Sequence, residues 1–243
     1  MKNSKGIKNN DNKQPVNIPQ HIGFIVDGNR RWARQYNFPT NYGHKRGSDK
    51  VKKVIDWSFK RGVKVLSFYI FSTENWGRDI KEINHLMKLI KELFDKDLNY
   101  FIKEKIKLLI SGWIDDPRLS VEIRRIARKA ESKTKDNKMG IVNLVFNYGG
   151  RLEIIQAIKR IVKEKVKISA IKESLVSKYL WKPELPDPDL IVRTSEMRLS
   201  GFLLWQSAYS ELCFIDKYWP SITKKDIDDI LSEYSNRKRR FGK

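Results

Sequence analysis

The sequence predicts a single α/β domain in which a mainly parallel sheet is flanked by helices. Short apolar segments alternate with longer amphipathic segments along most of the chain, which is the pattern of strand–helix–strand units. Several of the short segments are continuously apolar, as expected for strands that are buried on both faces. The 243 residues suit one large domain with a single core, and a hydrophobic content of 40% favours a folded chain.

The strands of this sheet are predicted from the apolar runs. They are Ile22–Val26, Val63–Phe71, Ile106–Ile110, Ile141–Phe146, Leu190–Val192 and Leu212–Ile215. Parallel sheets of this kind bind ligands beyond the carboxyl ends of their strands. The residues that follow each run are therefore the first candidates for a functional site.

The helices are predicted from apolar residues at helical spacing. Lys81–Lys105 carries a continuous apolar stripe and predicts one long helix, and Asp49–Arg61 predicts a helix that ends at Gly62. Further helices are predicted at Val121–Ser132, Leu152–Lys165 and Lys224–Tyr234.

The two ends of the chain differ from its centre in composition. Residues 1–17 are polar and rich in Lys and Asn and predict a flexible tail, which leaves residues 18–243 as the domain, with a basic C-terminal tail from Arg237 to Lys243. The N-terminus lacks the apolar segment of a signal peptide, and no apolar run approaches the ~20 residues of a membrane span. We expect a cytoplasmic protein, with peripheral contact to a membrane left open.

The chain is strongly basic, with 50 Lys and Arg against 29 Asp and Glu and a formal net charge of +21. Such a charge attracts nucleic acid, anionic lipid or phosphorylated metabolites without choosing among them, and a solvated basic surface explains it equally well. The one cysteine, Cys213, excludes an intramolecular disulfide framework, and its apolar neighbours predict a buried structural thiol.

The first predicted strand runs directly into Asp27 and Gly28. A carboxylate at a strand end is a candidate Mg²⁺ ligand, and the backbone N–H groups at the start of a following helix suit a phosphate. A plain strand-to-helix turn with Asp27 as N-cap is the alternative, and this segment alone does not decide between them. The candidate residues here are Asp27, Gly28, Asn29, Arg30, Arg31 and Trp32.

Two more strands end in polar groups of the same kind. A helix capping box is the alternative after the second strand, and surface salt bridges are the alternative after the fifth. The candidates after the second strand are Ser72, Thr73, Glu74, Asn75, Trp76 and Arg78, and those after the fifth are Arg193, Arg198, Leu199 and Ser200. Glu211 begins the last strand and is a second carboxylate that could share a metal ion with Asp27.

Basic and hydroxyl groups for phosphate thus gather at three strand ends, beside one or two carboxylates for Mg²⁺. A nucleic-acid-binding protein would spread its basic groups along a surface and interleave aromatic side chains. We therefore expect phosphorylated small molecules as ligands and no nucleic-acid partner.

Five segments of the chain resemble, in the same order, the sequence blocks of the cis-prenyltransferase family, whose bacterial members include undecaprenyl diphosphate synthase. They are HIGFIVDGNRRWA (His21–Ala33), GHKRG (Gly43–Gly47), FSTENWGR (Phe71–Arg78), FNYGGRLEI (Phe146–Ile154) and PDLIVRTSEMRLSGFLLWQSAYSEL (Pro188–Leu212). Five long collinear matches are far more specific than a single short motif.

The resemblance implies a six-stranded, mostly parallel sheet with a hydrophobic tunnel for a growing chain, and a homodimer. It implies a Mg²⁺-dependent transferase that condenses isopentenyl diphosphate with an allylic diphosphate, farnesyl diphosphate by default, to give a cis-polyprenyl diphosphate. Transient contact with a membrane for product release is a further expectation.

The resemblance also assigns roles to the candidate residues. Asp27 and Glu211 would hold Mg²⁺, and Asn75 would be the proton acceptor, although we interpret it as an orienting group because an amide is a poor base. The allylic diphosphate would be bound by Gly28, Asn29, Arg30, Arg31, Trp32 and His44, and the isopentenyl diphosphate by Arg193, Arg198 and Ser200, with Leu199 between them. Ser72, Thr73, Glu74, Trp76 and Arg78 would line the reacting centre.

Two positions depart from the family pattern. Thr40 stands where members carry an Arg, and Ser195 is followed directly by Glu196 without the usual intervening Gly. A non-catalytic partner subunit is the main alternative function and a basic nucleic-acid-binding protein is the next. The retained site residues argue against a non-catalytic subunit; they are Asp27, Asn75, Arg193, Arg198 and Glu211.

Overall fold

The computed structural model of the protein describes residues 17–237. Its strands are His21–Ile25 (β1), Val65–Ser72 (β2), Ile106–Ser111 (β3), Gly140–Tyr148 (β4), Leu190–Thr194 (β5) and Glu211–Ile215 (β6). They form one six-stranded sheet in the order β3-β4-β2-β1-β5-β6, and each neighbouring pair is parallel. The predicted fold class, a six-stranded parallel sheet flanked by helices, is confirmed.

Helices follow or separate the strands throughout the described residues. They are Asn29–Gln35 (α1), Thr40–Phe59 (α2), Ile80–Asp95 (α3), Leu98–Lys103 (α4), Val121–Thr134 (α5), Gly150–Lys163 (α6), Glu173–Tyr179 (α7) and Lys224–Asn236 (α8). A short 3₁₀ helix, Thr73–Gly77, directly follows β2. The sequence did not predict α7, and α2 begins nine residues earlier than the predicted Asp49–Arg61 (49 − 40 = 9).

The long helix predicted over Lys81–Lys105 is wrong, because two helices, α3 and α4, occupy this segment. The chain leaves α3 just before Asp97, whose carboxylate accepts a 2.6 Å hydrogen bond from Lys52 on α2. The apolar stripe continues across the break, since Phe94 and Leu98 are both buried. The sequence pattern therefore identified the buried face correctly and missed the interruption.

The core lies on both faces of the sheet. On one face Phe24 and Phe68 from the central strands stack at 5.3 Å and pack with apolar residues of α2, α3, α5 and α8. A smaller cluster on the other face includes Tyr69 and Phe202, whose rings stack at 5.1 Å. Cys213 is buried, as predicted, and burial raises the pKa of its thiol to about 11.

A chain of buried polar side chains crosses four adjacent strands. Ser111 donates to Asn143 (2.9 Å), Asn143 donates to Ser67 (3.0 Å), and the Ser67 hydroxyl lies 2.8 Å from His21 Nε2. His21 Nδ1 lies 2.7 Å from the Pro186 carbonyl, which can only accept, so Nδ1 carries the proton and Nε2 accepts from Ser67. Burial lowers the pKa of His21 to about 4, which keeps the ring neutral near pH 7.

The predicted N-terminal tail lies outside the described residues except for Asn17, whose backbone N–H donates to Ser235 Oγ at 3.1 Å. Arg237, expected to begin the basic C-terminal tail, is bound to the domain instead, because its guanidinium donates to Glu211 at 2.7 Å and to the Leu212 carbonyl at 3.0 Å. Residues 238–243 lie outside the described residues. Within residues 17–237, no helix combines the length and apolar character needed to cross a bilayer.

Candidate active site

A cleft of about 1050 Å³ opens at the carboxyl ends of the central strands. The strand β1 lies between β2 and β5, so the segments that follow these three strands meet around one opening. This is the position at which a parallel α/β sheet offers a ligand site. The predicted site residues that line the cleft are Asp27, Gly28, Asn29, Arg30, Arg31, His44, Ser72, Thr73, Glu74, Asn75, Arg78, Arg193, Arg198 and Ser200.

Asp27 is paired with two guanidinium groups inside the cleft. Its Oδ2 atom lies 2.9 Å from Arg193 Nη2 and 3.2 Å from Arg31 Nη2. Its Oδ1 atom accepts a 2.6 Å hydrogen bond from the backbone N–H of Gly28. The carboxylate therefore serves to position both guanidinium groups, and a phosphate that approached it would meet cationic donors on either side.

Gly28 is required by the backbone path at this point. Its φ of 98° lies in the left-handed region, and a Cβ atom there would overlap the Ser195 hydroxyl and the Tyr218 ring. The turn is thus tight enough to bring the start of α1 directly beside Asp27. The alternative interpretation of Asp27 as a helix N-cap is not what the structure shows, since Gly28 occupies the N-cap position of α1.

The segment after β5 folds around the Arg193 guanidinium. Arg193 Nη1 donates to the Ser200 hydroxyl at 2.6 Å and to the backbone carbonyl of Arg198. Arg193 has 5% of its side chain exposed, whereas Arg198 has 66% exposed. Arg193, Arg198 and Ser200 lie together even though this chain lacks the Gly that family members carry after Ser195. Ser195 itself adopts a φ of 71°, a backbone conformation that a Gly would take without strain.

Glu196 connects the segments after β1 and β5. One of its carboxylate oxygens accepts from Arg31 at 2.8 Å and the other accepts from Arg198 at 2.7 Å. Surface salt bridges were the alternative explanation for the charged residues after the fifth strand, and Arg198 does form such a bridge with Glu196. Because Arg198 is mostly exposed, a diphosphate could take over the role of Glu196 as its partner.

Asn75 takes part in a capping box after β2. Its side-chain oxygen accepts a 3.0 Å hydrogen bond from the Ser72 backbone N–H, and the Ser72 hydroxyl accepts in return from the Asn75 backbone. The capping alternative is thus correct, with Asn75 in place of the expected acidic residue. Since the amide oxygen is already an acceptor, the NH₂ group is left to donate into the cleft, which suits orientation of a substrate better than removal of a proton.

Trp76 points away from the cleft and fixes the same segment from behind. Its indole N–H donates to Asn147 Oδ1 at 2.8 Å, and the Asn147 NH₂ group donates to Asp116 at 2.9 Å. Asp116 is bound by Arg118, whose guanidinium also lies 5.0 Å from the centre of the Trp76 ring. Trp76 is a positioning residue for the turn that carries Asn75.

Glu82 gathers a second group of basic side chains at the cleft. It accepts from His44 Nε2 at 3.1 Å and from Arg78 at 3.0 Å, and it lies 3.6 Å from Arg30. Burial lowers the pKa of His44, and the hydrogen bond to Glu82 only partly opposes that effect. His44 is therefore a neutral donor near pH 7. Glu82 sets the position of two predicted diphosphate ligands, His44 and Arg30, and of Arg78, which was predicted to line the reacting centre.

Sequence reasoning missed several residues of this site. Glu82 lies in the first turn of α3, where an acidic residue is explained by helix capping alone. Arg151 lines the cleft after β4, and the strand–Gly–Gly–Arg order of that segment was a usable signal. Arg34 also lines the cleft, whereas Thr40 lies outside the lining formed by the described residues.

Three further predicted ligands also lie outside the lining that residues 17–237 form. Trp32 packs against Tyr36, Phe38 and Tyr42. Leu199 packs against the smaller apolar cluster described above. Glu211 is the third, and its position bears on the predicted metal site.

Glu211 is the first residue of β6 and pairs with Leu190, at the amino ends of their strands. Asp27 follows the carboxyl end of β1, beyond the level of Ile25, which pairs with Arg193. At ~3.3 Å per residue, the two carboxylates are separated by at least ~10 Å along the strands. Glu211 is bound to Arg237 instead, so the prediction that Glu211 and Asp27 share a metal ion is wrong within one chain.

The donor set of the cleft fits a metal ion held jointly with a ligand. No cluster of three or more His, Cys, Asp or Glu side chains suited to a metal occurs in the part of the chain that the structure describes. Mg²⁺ commonly binds one or two carboxylates together with water and substrate phosphates. Asp27 supplies one such carboxylate next to the cationic groups that would hold a diphosphate, and the chemistry of this donor set therefore suits Mg²⁺.

The sequence profile of a family described as putative undecaprenyl diphosphate synthase matches residues 25–242. The chain belongs to this family. An isoprenyl transferase of Thermotoga maritima is 42% identical over 230 residues, which cover 93% of this chain and 98% of the relative. A ditrans,polycis-undecaprenyl-diphosphate synthase of Micrococcus luteus, described as specific for (2E,6E)-farnesyl diphosphate, is 41% identical and covers all of this chain and 98% of the relative.

Two solved structures of diphosphate synthases share the fold. Lavandulyl diphosphate synthase from Lavandula x intermedia, in complex with dimethylallyl diphosphate, superposes with a TM-score of 0.87 at 28% identity, over 93% of this chain and 99% of that one. A probable undecaprenyl diphosphate synthase from Campylobacter jejuni gives a TM-score of 0.79 at 33% identity, over 93% and 100%. The family resemblance predicted from the sequence is confirmed.

Proposed function

We propose that the protein condenses isopentenyl diphosphate with an allylic diphosphate, farnesyl diphosphate by preference, and releases a cis-polyprenyl diphosphate and diphosphate. The observation that carries this proposal is the cleft in which Asp27, Arg31 and Arg193 form one ion-paired cluster at the ends of parallel strands. The farnesyl specificity of the Micrococcus luteus relative and the dimethylallyl diphosphate in the Lavandula structure support the choice of substrates.

Two groups of hydrogen-bond donors, each containing guanidinium groups, provide for two diphosphates. The allylic diphosphate is assigned to the backbone N–H groups at the start of α1 and to Arg30, Arg31 and His44. The isopentenyl diphosphate is assigned to Arg193, Arg198 and Ser200 on the other side of Asp27. Charge-assisted hydrogen bonds from guanidinium groups to phosphate oxygens are among the strongest polar contacts in proteins.

The reaction needs charge stabilisation more than it needs a strong base. The allylic C–O bond breaks and its electron pair leaves with the diphosphate, the isopentenyl double bond forms the new C–C bond, and a proton is lost. The donors around Asp27 are already in place and stabilise the negative charge that develops on the leaving group. The Asn75 amide orients the isopentenyl group, and the final proton acceptor is left open.

Mg²⁺ is part of the proposal, with Asp27 as its protein ligand and diphosphate oxygens as the others. When bound, the ion would supply charge neutralisation to the leaving diphosphate. The geometry assigns no part in this to Glu211 of the same chain.

The apolar part of the cleft is proposed to hold the isoprenoid chain. Phe71, Leu86, Ile155 and Leu204 line it next to the polar groups. The hydrophobic tunnel predicted from the resemblance would continue from here and stays a prediction, as do the homodimer and the cytoplasmic location. An exposed apolar row on α6, formed by Ile155, Ile158 and Val162, is the surface that best supports a dimer contact.

The function is tested by incubating the purified full chain with labelled isopentenyl diphosphate, farnesyl diphosphate and Mg²⁺ and sizing the extracted lipid. Chain elongation that stops when EDTA is added is the expected result. Absence of elongation by a folded protein, with either farnesyl or dimethylallyl diphosphate as starter, would instead favour the non-catalytic subunit. Salt-sensitive binding to arbitrary DNA without turnover would favour the nucleic-acid alternative.

A further inference from the structure

The turn between α1 and α2 carries four aromatic side chains that the catalytic scheme does not use. Trp32 stands at its base, and Tyr36, Phe38 and Tyr42 are 51%, 44% and 42% exposed. We call these four residues the aromatic tip. Three strongly exposed rings within seven consecutive positions are unusual on a protein surface and indicate contact with something apolar.

The rings of the aromatic tip are packed against one another. Phe38 and Tyr42 contact each other at 4.6 Å between ring centres, and Phe38 stacks on Trp32 at 5.8 Å with the planes 16° apart. The turn is closed by a 2.8 Å hydrogen bond from the Phe38 N–H to the carbonyl of Ala33, which is fully buried. Each residue from 34 to 39 is exposed, so the rings lie on a projection and not in a groove.

The surroundings of the aromatic tip are entirely basic in sequence. The segment from Gly28 to Ser48 contains Arg30, Arg31, Arg34, Lys45 and Arg46 and has no Asp or Glu. Arg34 and Arg46 are exposed and make no ion pair within residues 17–237, whereas Lys45 is paired with Asp49 at 3.0 Å. The charge of Arg34 and Arg46 is therefore available to an anionic surface.

We propose that the aromatic tip docks on an anionic lipid bilayer, with its rings at the level of the headgroups and Arg34 and Arg46 on lipid phosphates. Aromatic side chains favour the interface between water and hydrocarbon, and basic residues near such a surface are attracted to anionic lipid. Rings that are already packed together on a turn closed by a backbone hydrogen bond reduce the entropy cost of ordering the contact surface.

Two other partners fit the aromatic tip less well. Single-stranded nucleic acid stacks its bases on free ring faces along a groove, but here the ring faces of Trp32 and Phe38 cover each other on a projection. A second copy of the chain would bring two unpaired basic surfaces together. Charge complementarity with an anionic bilayer therefore decides the choice.

The position of the aromatic tip relates it to the cleft. Arg34 lines the cleft and lies on the same short helix as Trp32, so docking would hold the cleft entrance at the membrane surface. Docking itself depends on the geometry and charge of the tip alone. Its use in passing a lipid product to the bilayer rests on the proposed function.

The test is co-sedimentation of the full chain with sucrose-loaded vesicles of phosphatidylcholine, with or without 30% phosphatidylglycerol, where the fraction is a choice of roughly physiological anionic content. The docking variant replaces the three exposed rings (Tyr36→Ser, Phe38→Ser, Tyr42→Ser). Its control replaces three exposed apolar residues elsewhere (Val121→Ser, Ile168→Ser, Tyr209→Ser), which are 73%, 89% and 76% exposed. Circular dichroism establishes that both variants are folded.

We expect the wild type and the control to bind the anionic vesicles and the docking variant to lose about tenfold or more in partition coefficient. Arg34→Gln with Arg46→Gln should lower binding by roughly tenfold at low salt and by less at 0.5 M salt, whereas Lys133→Gln with Lys135→Gln should have a much smaller effect. Equal partitioning of the wild type and the docking variant would overturn the proposal.

Other results also decide against a membrane. If the wild type does not bind vesicles, and the docking variant changes the sedimentation coefficient from that of a dimer to that of a monomer, the tip is a contact between copies. If a single-stranded oligonucleotide displaces the wild type from vesicles and binds the docking variant more weakly, the tip is a nucleic-acid site. Turnover in solution is measured in parallel, because vesicle binding without turnover retains the docking surface and removes only the proposed function.

Discussion

The indole N–H of Trp76 donates a 2.8 Å hydrogen bond to Asn147 Oδ1, and this bond ties the turn after β2 to the end of β4. Asn147 adopts a φ of 48° and is fully buried, so its amide is held in one orientation by Trp76 on one side and Asp116 on the other. The turn that carries Asn75 is therefore fixed by residues that never face the cleft.

Trp76→Phe should destabilise the protein and reduce turnover together. The ring is kept, but the buried Asn147 oxygen loses its donor, which costs about 1–3 kcal/mol. Urea unfolding and initial rates measure the two effects. Trp57→Phe is the control, because the Trp57 indole N–H makes no hydrogen bond within the described residues. Equal losses of stability and turnover in the two variants would show that the size of the ring matters and the hydrogen bond does not.

Asp27→Asn should nearly abolish condensation while the fold is retained. The variant keeps the shape of the side chain but removes the charge that positions Arg31 and Arg193 and that would bind Mg²⁺. A loss of about 10²–10³ in kcat is expected, as for removal of a main electrostatic group. Asp228→Asn, in a surface ion pair with Arg61, is the matched control and should be nearly silent. A folded Asp27→Asn variant with normal turnover would remove Asp27 from the mechanism.

Arg198→Ala and Arg193→Ala should have different effects because their burial differs. Arg198 is mostly exposed, so its loss should change protein stability little. The KM for isopentenyl diphosphate should rise by the equivalent of one lost charge-assisted contact, ~1.5–3 kcal/mol. Arg193 is buried between Asp27 and Ser200, so its loss should lower stability and kcat as well. Kinetics with each substrate varied in turn measure this, and a change in the allylic KM alone would mean that the two diphosphate sites are reversed.

His21 should make stability depend on pH below neutrality. The unfolded chain takes up a proton near pH 6.5, but burial lowers the pKa of folded His21 to about 4, so the unfolded state binds more protons between these values. The contribution of neutral His21 to the free energy of unfolding is complete above pH 6.5, and it decreases by about 3 kcal/mol in total as the pH falls to 4. The stability difference between wild type and His21→Gln should shrink accordingly over that range. His85→Gln, at a half-buried histidine on α3, is the control, and a constant wild-type advantage would contradict the prediction.

Gly43→Ala should destabilise the α1–α2 pair. A Cβ atom at Gly43 would overlap the backbone carbonyl of Asn29, which can only move if the start of α1 moves with it. We expect the free energy of unfolding to fall by about 1–3 kcal/mol and the allylic diphosphate to bind more weakly. Gly77→Ala, where a Cβ would have no neighbour within 4 Å, is the control. An equally stable Gly43→Ala variant would show that the two helices separate easily.

The sequence sufficed to locate the cleft because the strands are short, apolar and parallel. A continuous apolar run that stops at a polar residue marks a strand end, and parallel strands place such ends on one edge of the sheet. The meeting of Asp27 with Arg193 follows from that geometry once β1 and β5 are neighbours. Glu82 could not be found in this way, since its role depends on which face of α3 turns toward α1 and α2.

Four predicted site residues lie outside the cleft lining formed by the described residues, and for two of them the reason is identifiable. Glu211 was assigned to a metal because it is acidic, but it starts its strand, and the amino end of a parallel strand lies on the opposite edge of the sheet from Asp27. Trp76 was grouped with its neighbours in sequence, but in a 3₁₀ helix adjacent residues point in different directions, and its ring turned toward the core beside Phe71. In both cases the local direction of the chain decided the outcome.

The separation of β1 and β5 in the chain has a consequence for biosynthesis. Asp27 and Arg193 are 166 positions apart, and at 5–20 residues per second a ribosome needs roughly 10–30 s to add the residues between them. During that interval β1 can pair with β2, but its other edge stays open. The Asp27–Arg193 pair thus forms only after most of the polypeptide has been made. A nascent chain interrupted before β5 would expose an unpaired strand edge suited to chaperone binding and aggregation.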